Sequence, residues 1–250
     1  MTTVRIAATT LTAAALLVAG LAHAAEIQVM ASAAIKEAYL ELAPEFERAS
    51  GHKVVTQWVP TVDMLARLKG GETVDLVIMS AAGLEELTGA GRIAAGSRVD
   101  VAKSGIGVAV RAGAPKPDIS SADAVKRALL AAKSVAYSTG PSGVYLAGLF
   151  QRMGIADEVK PKLKRVKGVP VGEVVARGEA EIGFQQVSEL LPVAGIDYLG
   201  PLPATIQEIT VFAAGVHVAA RQPDAAKALI GFLATPAAVA VIRKKGMEPG

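Results

Sequence analysis

Four small hydroxyl residues, Ser32, Thr61, Ser80 and Ser142, stand where a short apolar run gives way to a helical pattern. At such junctions Ser and Thr cap helices, and the unpaired first-turn amides with the positive end of the helix dipole make a ready anion site. Each alone is more often a plain cap; several converging on one cleft would hold an anion without any lysine. The sharpest case is Val135-Ala-Tyr-Ser-Thr-Gly-Pro-Ser-Gly-Val-Tyr145, read as strand, turn and helix. Ser142 is expected to be the N-cap, with Ser138 at the strand end and Gly143 beside it in the same candidate site.

The elements that must position these residues follow from periodicity. Ile27 to Met30 reads as a buried strand, and Ile35, Ala38, Tyr39, Leu42 and Phe46 mark one helix face, with Pro44 expected to kink or restart that helix. Lys53 to Val59 is the next strand, Thr61 to Leu68 the next helix, and Val74 to Met79 a third strand before a helix from Ala82 to Ala90. This is β-α-β-α-β with a parallel sheet. In such sheets ligands collect at the carboxyl ends of the strands, where all four hydroxyls lie.

After Asp100 the pattern changes. The β-rich Ser104 to Ala112 runs into Ala112-Gly-Ala-Pro-Lys-Pro117, a boundary signal, and a second α/β unit begins. It holds helices at Asp123 to Ala132 and Val171 to Arg177, the strand Ile182 to Gln185 and a proline-bounded segment, Leu190 to Pro203. Ile209 to Ala219 is a long apolar strand, followed by amphipathic helices at Asp224 to Leu233 and Pro236 to Lys245. The expected organisation is two α/β lobes, 25–106 with 213–250 and 107–212, each a mostly parallel sheet flanked by helices, joined by a two-strand hinge.

The first 24 residues carry one charge, Arg5, then an apolar run to Ala22, and end on Ala22-His23-Ala24. This reads as a secretory signal cleaved after Ala24, and the expected compartment is the periplasm. The chain has no cysteine, so no disulfide staples the fold. Without Arg5, 25 basic residues face 23 acidic ones. That near-neutral balance gives no reason to expect a nucleic-acid partner. The basic run Lys160 to Lys167 reads as a solvated helix-to-strand connection.

Histidine chemistry is poor. Beyond His23 only His52 and His217 remain, in no metal or triad spacing; His52 reads as a surface turn and His217 as a satisfied core residue. No Walker or Rossmann glycine motif is present, so no cofactor and no metal are expected. Trp58 and Tyr39 read as core or cleft wall, and Arg67 as a solvated helix-face residue.

Ile-Gln-Val-Met-Ala-Ser-Ala-Ala at 27 to 34, Met64-Leu-Ala-Arg67, Val74-Asp-Leu-Val-Ile-Met-Ser80, Pro141-Ser-Gly-Val-Tyr145 and Gly178-Glu-Ala-Glu-Ile-Gly183 resemble the periplasmic molybdate-binding proteins of ABC transporters. These lie within the type II periplasmic-binding-protein superfamily, and the similarity runs from Ile27 to about Met247. The resemblance implies a two-lobed fold that closes on a small anion and presents it to an ABC permease, as a monomer without stable membrane insertion. It places ligand contacts at Ser32, Ala33 and Ala34, at Thr61 and Val62, at Ser142, and at Gln186 where the family has a tyrosine. Ala34 and Val62 lack the hydroxyl donors that a bare oxyanion needs, and Gln186 replaces the tyrosine, which points away from molybdate towards another anion or a polar small molecule.

One branch resembling this family is an aconitate isomerase. The primary expectation is a passive binding protein; the alternative is a cofactor-independent isomerase of a small tricarboxylate, with Asp63, Tyr145, Gln185 and Gln186 as candidate site residues. Allylic isomerisation needs a placed base and stabilisation of a developing anion. The effector lobe of a transcription regulator shares the fold, but the signal sequence and the missing helix-turn-helix argue against it.

Overall fold

The computed structural model describes residues 24–250, so the signal-sequence expectation for the first 24 residues lies outside the described residues except for Ala24. Among the described residues eleven strands form two sheets: β1 Glu26–Ala31, β2 Lys53–Trp58, β3 Leu76–Ser80, β4 Val99–Ser104, β5 Ile106–Arg111, β6 Val135–Ser138, β7 Leu163–Val166, β8 Ile182–Gln186, β9 Ile196–Pro201, β10 Thr210–Val216 and β11 Glu248–Pro249. The first sheet has the order β11-β4-β10-β3-β1-β2 and the second β7-β6-β8-β5-β9.

Burial explains the order of the first sheet. All five residues of β3, Leu-Val-Ile-Met-Ser, are buried, as a strand covered on both faces requires. It pairs in parallel with β1 and antiparallel with β10. Strand β2, at the edge, alternates between exposed and half-buried positions. The helix Lys36–Ser50 lays Ala38, Tyr39, Leu42 and Phe46 on the sheet at helical spacing and stops at Gly51, whose φ of 74° suits glycine. Pro44 is accommodated within this helix, which neither breaks nor restarts there. The second sheet has its own core of Val108, Leu129, Leu146, Phe150, Phe184 and their neighbours.

The chain crosses between the sheets at Gly105 and again between Pro201 and Thr210. Gln207 braces the crossing: its Oε1 accepts from Ile106 N (2.8 Å) and its Nε2 donates to Ile106 O (3.0 Å). Two elements hidden in the sequence pattern emerge here. β9 occupies part of the proline-bounded segment, and Leu163–Val166, inside the basic run, is an edge strand whose charged residues face solvent.

Asp75 pins the first lobe. Its Oδ2 accepts from Gln28 N (2.7 Å), and its Oδ1 accepts from Arg221 N and Gln222 N (2.7 and 2.8 Å) at the entry to the helix Pro223–Leu233. Nearby His217 is buried but only half satisfied, contrary to the sequence expectation: Nδ1 accepts from Ala219 N, whereas Nε2 has no partner among the described residues. Burial lowers its pKa, with Arg92 adding to the effect.

Candidate functional site

The carboxyl ends of β1, β2, β6, β7 and β8 converge on a cleft of about 560 Å³. The first lobe contributes Ser32, Lys36, Glu37, Trp58 and Thr61, and the second contributes Ser138, Thr139, Glu173, Gln185 and Glu189. This is where an open α/β sheet collects its ligand, because strand ends and helix starts face the same gap.

On the first-lobe wall, Ser32 accepts from Ala34 N (3.4 Å) and caps a short 3₁₀ turn. Thr61 opens the helix Thr61–Lys69, and its Oγ1 is buried without a hydrogen-bond partner among the described residues. A hydroxyl desolvated in this way costs free energy unless something pairs with it, and a ligand oxygen in the cleft would do so. Trp58 stands edge-on to Tyr39 (5.5 Å, 89°), with the Lys36 ammonium 6.0 Å from its ring. Among the described residues Lys36 is the one cation lining the cleft, on a wall that also carries Glu37.

On the second-lobe wall, Gly140 caps the helix Pro141–Arg152 and Pro141 takes its first position. This corrects the expected cap at Ser142, which lies inside the first turn, buried, with its hydroxyl 3.1 Å from Ser138 Oγ. Ser138 Oγ also accepts from Gly140 N (3.2 Å), so Ser138 faces the cleft while Ser142 supports it from behind. Gly143 is required by close approach, since a Cβ there would lie 1.7 Å from Ser138 O.

Glu189 is the group with the most distinctive chemistry. It follows β8 on the short helix Val187–Leu190, and its Oε1 accepts from Gln185 Nε2 (2.8 Å). Though only partly covered from solvent, it sits deep between the lobes, and desolvation pushes its pKa up to about 7 against the lowering effect of Gln185. Gln185 in turn accepts from Val171 N (2.7 Å). Ser188 ties the same short helix to the first lobe by donating to Ala34 O (2.7 Å).

The model of the bacterial extracellular solute-binding protein family matches residues 27–248. The chain belongs to that family. It is 41% identical over 229 residues to an aconitate isomerase from Pseudomonas sp., covering 89% of this chain and 87% of the relative. It is 28% identical over 242 residues to a molybdate-binding protein of Azotobacter vinelandii, covering 92% of each. The fold also matches the solved periplasmic molybdate-binding protein of that bacterium, with a TM-score of 0.75 at 20% identity over 90% of this chain and 99% of the other.

Within this solute-binding fold the expected site residues separate. Ser32, Ala33, Thr61 and Ser138 line the cleft, with Ser142 and Gly143 directly behind Ser138. Ala34 is buried with its carbonyl committed to Ser188, Val62 is 48% exposed, and neither is among the residues that line the cleft. Gln186 sits at the lobe crossing instead. With its NH₂ facing the Ser104 carbonyl (2.9 Å), its oxygen accepts from Thr210 Oγ1 (2.9 Å). Neighbouring strand residues point to opposite faces, so Gln185 takes the cleft side.

Tyr145 also lies elsewhere, donating to Ile206 O (3.0 Å) beneath the Arg152 guanidinium. Asp63 and Arg67 line a shallower recess beside the cleft with Lys167, and Arg67 is held by Glu72 and Gln57. Sequence reasoning missed Glu189 and the Lys36–Glu37 pair. The signal for Glu189 was its position just past a strand end, the rule that selected the hydroxyls, applied there to Ser and Thr alone.

Proposed function

We propose that this protein is a periplasmic, cofactor-independent isomerase that binds a small unsaturated tricarboxylate, aconitate or a near analogue, between its lobes. The observation that carries the reading is Glu189: a carboxyl group lining the cleft between the lobes, held by Gln185 Nε2 at 2.8 Å, with its pKa pushed up to about 7 by desolvation. A general base works best with a pKa close to the working pH. The 41% identical relative named aconitate isomerase supports the choice of substrate.

Glu189, as the carboxylate, takes a proton from the methylene carbon next to the double bond. The C–H electron pair forms a new double bond to the central carbon, and the old π pair moves onto the far carbon and its carboxylate. Glu189 then returns the proton to that far carbon. The double bond has shifted, and no atom or electron is gained or lost. Hydroxyl donors at Ser32, Thr61 and Ser138 and the Lys36 ammonium are suited to the substrate carboxylates and to the charge that develops on them.

A passive carrier that delivers a small anion to an ABC permease is the second reading, favoured by the molybdate-binding relative. A thermal-shift panel of molybdate, tungstate and di- and tricarboxylates, followed by NMR of any binding carboxylate, separates the two. Stabilisation by aconitate with chemical conversion supports the isomerase; stabilisation by an oxyanion alone contradicts it.

A further inference from the structure

We infer that Gln185 is a positioning residue that fixes the Glu189 carboxyl, holding one oxygen and leaving the other for the substrate; this rests on the reading of Glu189 as the proton-transfer group. Gln185 is buried, and its two ends are committed in opposite directions. Oε1 accepts from Val171 N (2.7 Å), the first amide of the helix Val171–Ala176, whose own N-cap, Pro170, offers no side-chain acceptor.

That bond removes the ambiguity of the amide. A flipped Gln185 would set its NH₂ against the Val171 N–H, donor against donor, so the helix start forces Nε2 towards Glu189 Oε1 (2.8 Å). Glu189 Oε2 has no hydrogen bond among the described residues, and Glu189 lines the cleft, so this is the oxygen left for a substrate C–H. The other charged groups lining this space are Lys36 and Glu37 on the first-lobe helix and Glu173 on the helix Val171–Ala176, with Glu173 partly neutralised by Arg177 at 3.5 Å. None of them forms a hydrogen bond to Glu189, so Gln185 is its sole anchor among the described residues.

The test uses the mature protein carrying Gln185→Met, with Glu189→Gln and the double variant. The ¹³C carboxyl resonance of Glu189, assigned by its loss in Glu189→Gln, is titrated in each background. Loss of a donor to the carboxylate should move the midpoint upwards by about one pH unit. With aconitate, kcat should fall roughly tenfold to a hundredfold with KM little changed, and the acid limb of the pH profile should follow the titration. In the Glu189→Gln background the second substitution should add nothing. Affinity for tricarballylate, a saturated tricarboxylate with no double bond to move, should be retained.

An unmoved titration overturns the inference whether or not turnover is seen. Equal losses of kcat and tricarballylate affinity also overturn it, because they mark a general distortion of the wall. An inactive wild type whose titration still moves on Gln185→Met contradicts the isomerase reading and leaves Gln185 as the group that holds Glu189.

Discussion

The Lys167 ammonium lies 3.1 Å from an Asp63 carboxylate oxygen, joining the segment after β7 to the helix Thr61–Lys69 across the edge of the cleft. The side chains are 65% and 38% exposed, so the pair belongs to the class worth at most about 1 kcal/mol. Its consequence is for closure. Asp63→Asn should leave the melting temperature nearly unchanged and weaken ligand binding a few-fold at low salt, with the difference vanishing at high salt. Calorimetric titration at the two ionic strengths checks this, and a salt-independent loss would show that Asp63 contacts the ligand itself.

Glu189 makes stability depend on pH in a direction opposite to most carboxylates. Its folded pKa, about 7, exceeds its ordinary value of 4.5, so the folded state holds the proton more tightly. The contribution is fully present below about 4.5 and is lost as pH rises through about 7, amounting to at most about 3 kcal/mol. Glu189→Gln should therefore be more stable than wild type at pH 8 and should flatten the curve between those values. Denaturant unfolding across that range measures it; parallel curves for the two proteins would place Glu189 in a solvated environment.

Two glycines in helices should respond oppositely to alanine. At Gly143 the new Cβ would strike the Ser138 carbonyl, so Gly143→Ala must push the helix Pro141–Arg152 off the end of β6. A cost of roughly 3 kcal/mol with loss of ligand binding is expected. Gly231 has nothing within 4 Å of the added carbon and sits in the helix Pro223–Leu233, so alanine should stabilise by about 0.5–1 kcal/mol. Melting curves of the two variants decide the matter.

Asp75→Ala strips three backbone amides of their buried acceptor and should cost roughly 3 kcal/mol or more. Because these contacts lie away from the cleft, whatever folded protein remains should bind ligand with unchanged affinity. A selective loss of affinity at wild-type stability would mean that Asp75 reaches the site.

Most of the fold was legible because apolar runs and helix stripes report burial directly, as in Leu76–Ser80 and in Ala38, Tyr39, Leu42 and Phe46. β9 was hidden because its residues are half-buried and bounded by proline and glycine, so it lacks a strong apolar run. The second-lobe cap was misread because the helix is capped by Gly140, two positions before the hydroxyl that looks like a cap, and opens on Pro141. Gln185 and Gln186 are chemically identical in the sequence; the pleat alone sends one to the cleft and the other to the crossing. Glu189 looks like any helix-face glutamate until the fold sets it in the wall of the cleft. For that reason the residues alone favour a carrier, and the proposal of an isomerase had to wait for the folded cleft.

The most direct test of the account is a proton NMR time course of aconitate with the mature protein in D₂O. Wild type should interconvert the cis and trans forms, with solvent deuterium entering the methylene carbon, and Glu189→Gln should bind aconitate without converting it. Tight binding of unchanged, undeuterated aconitate by the wild type would contradict the isomerase and leave a carrier.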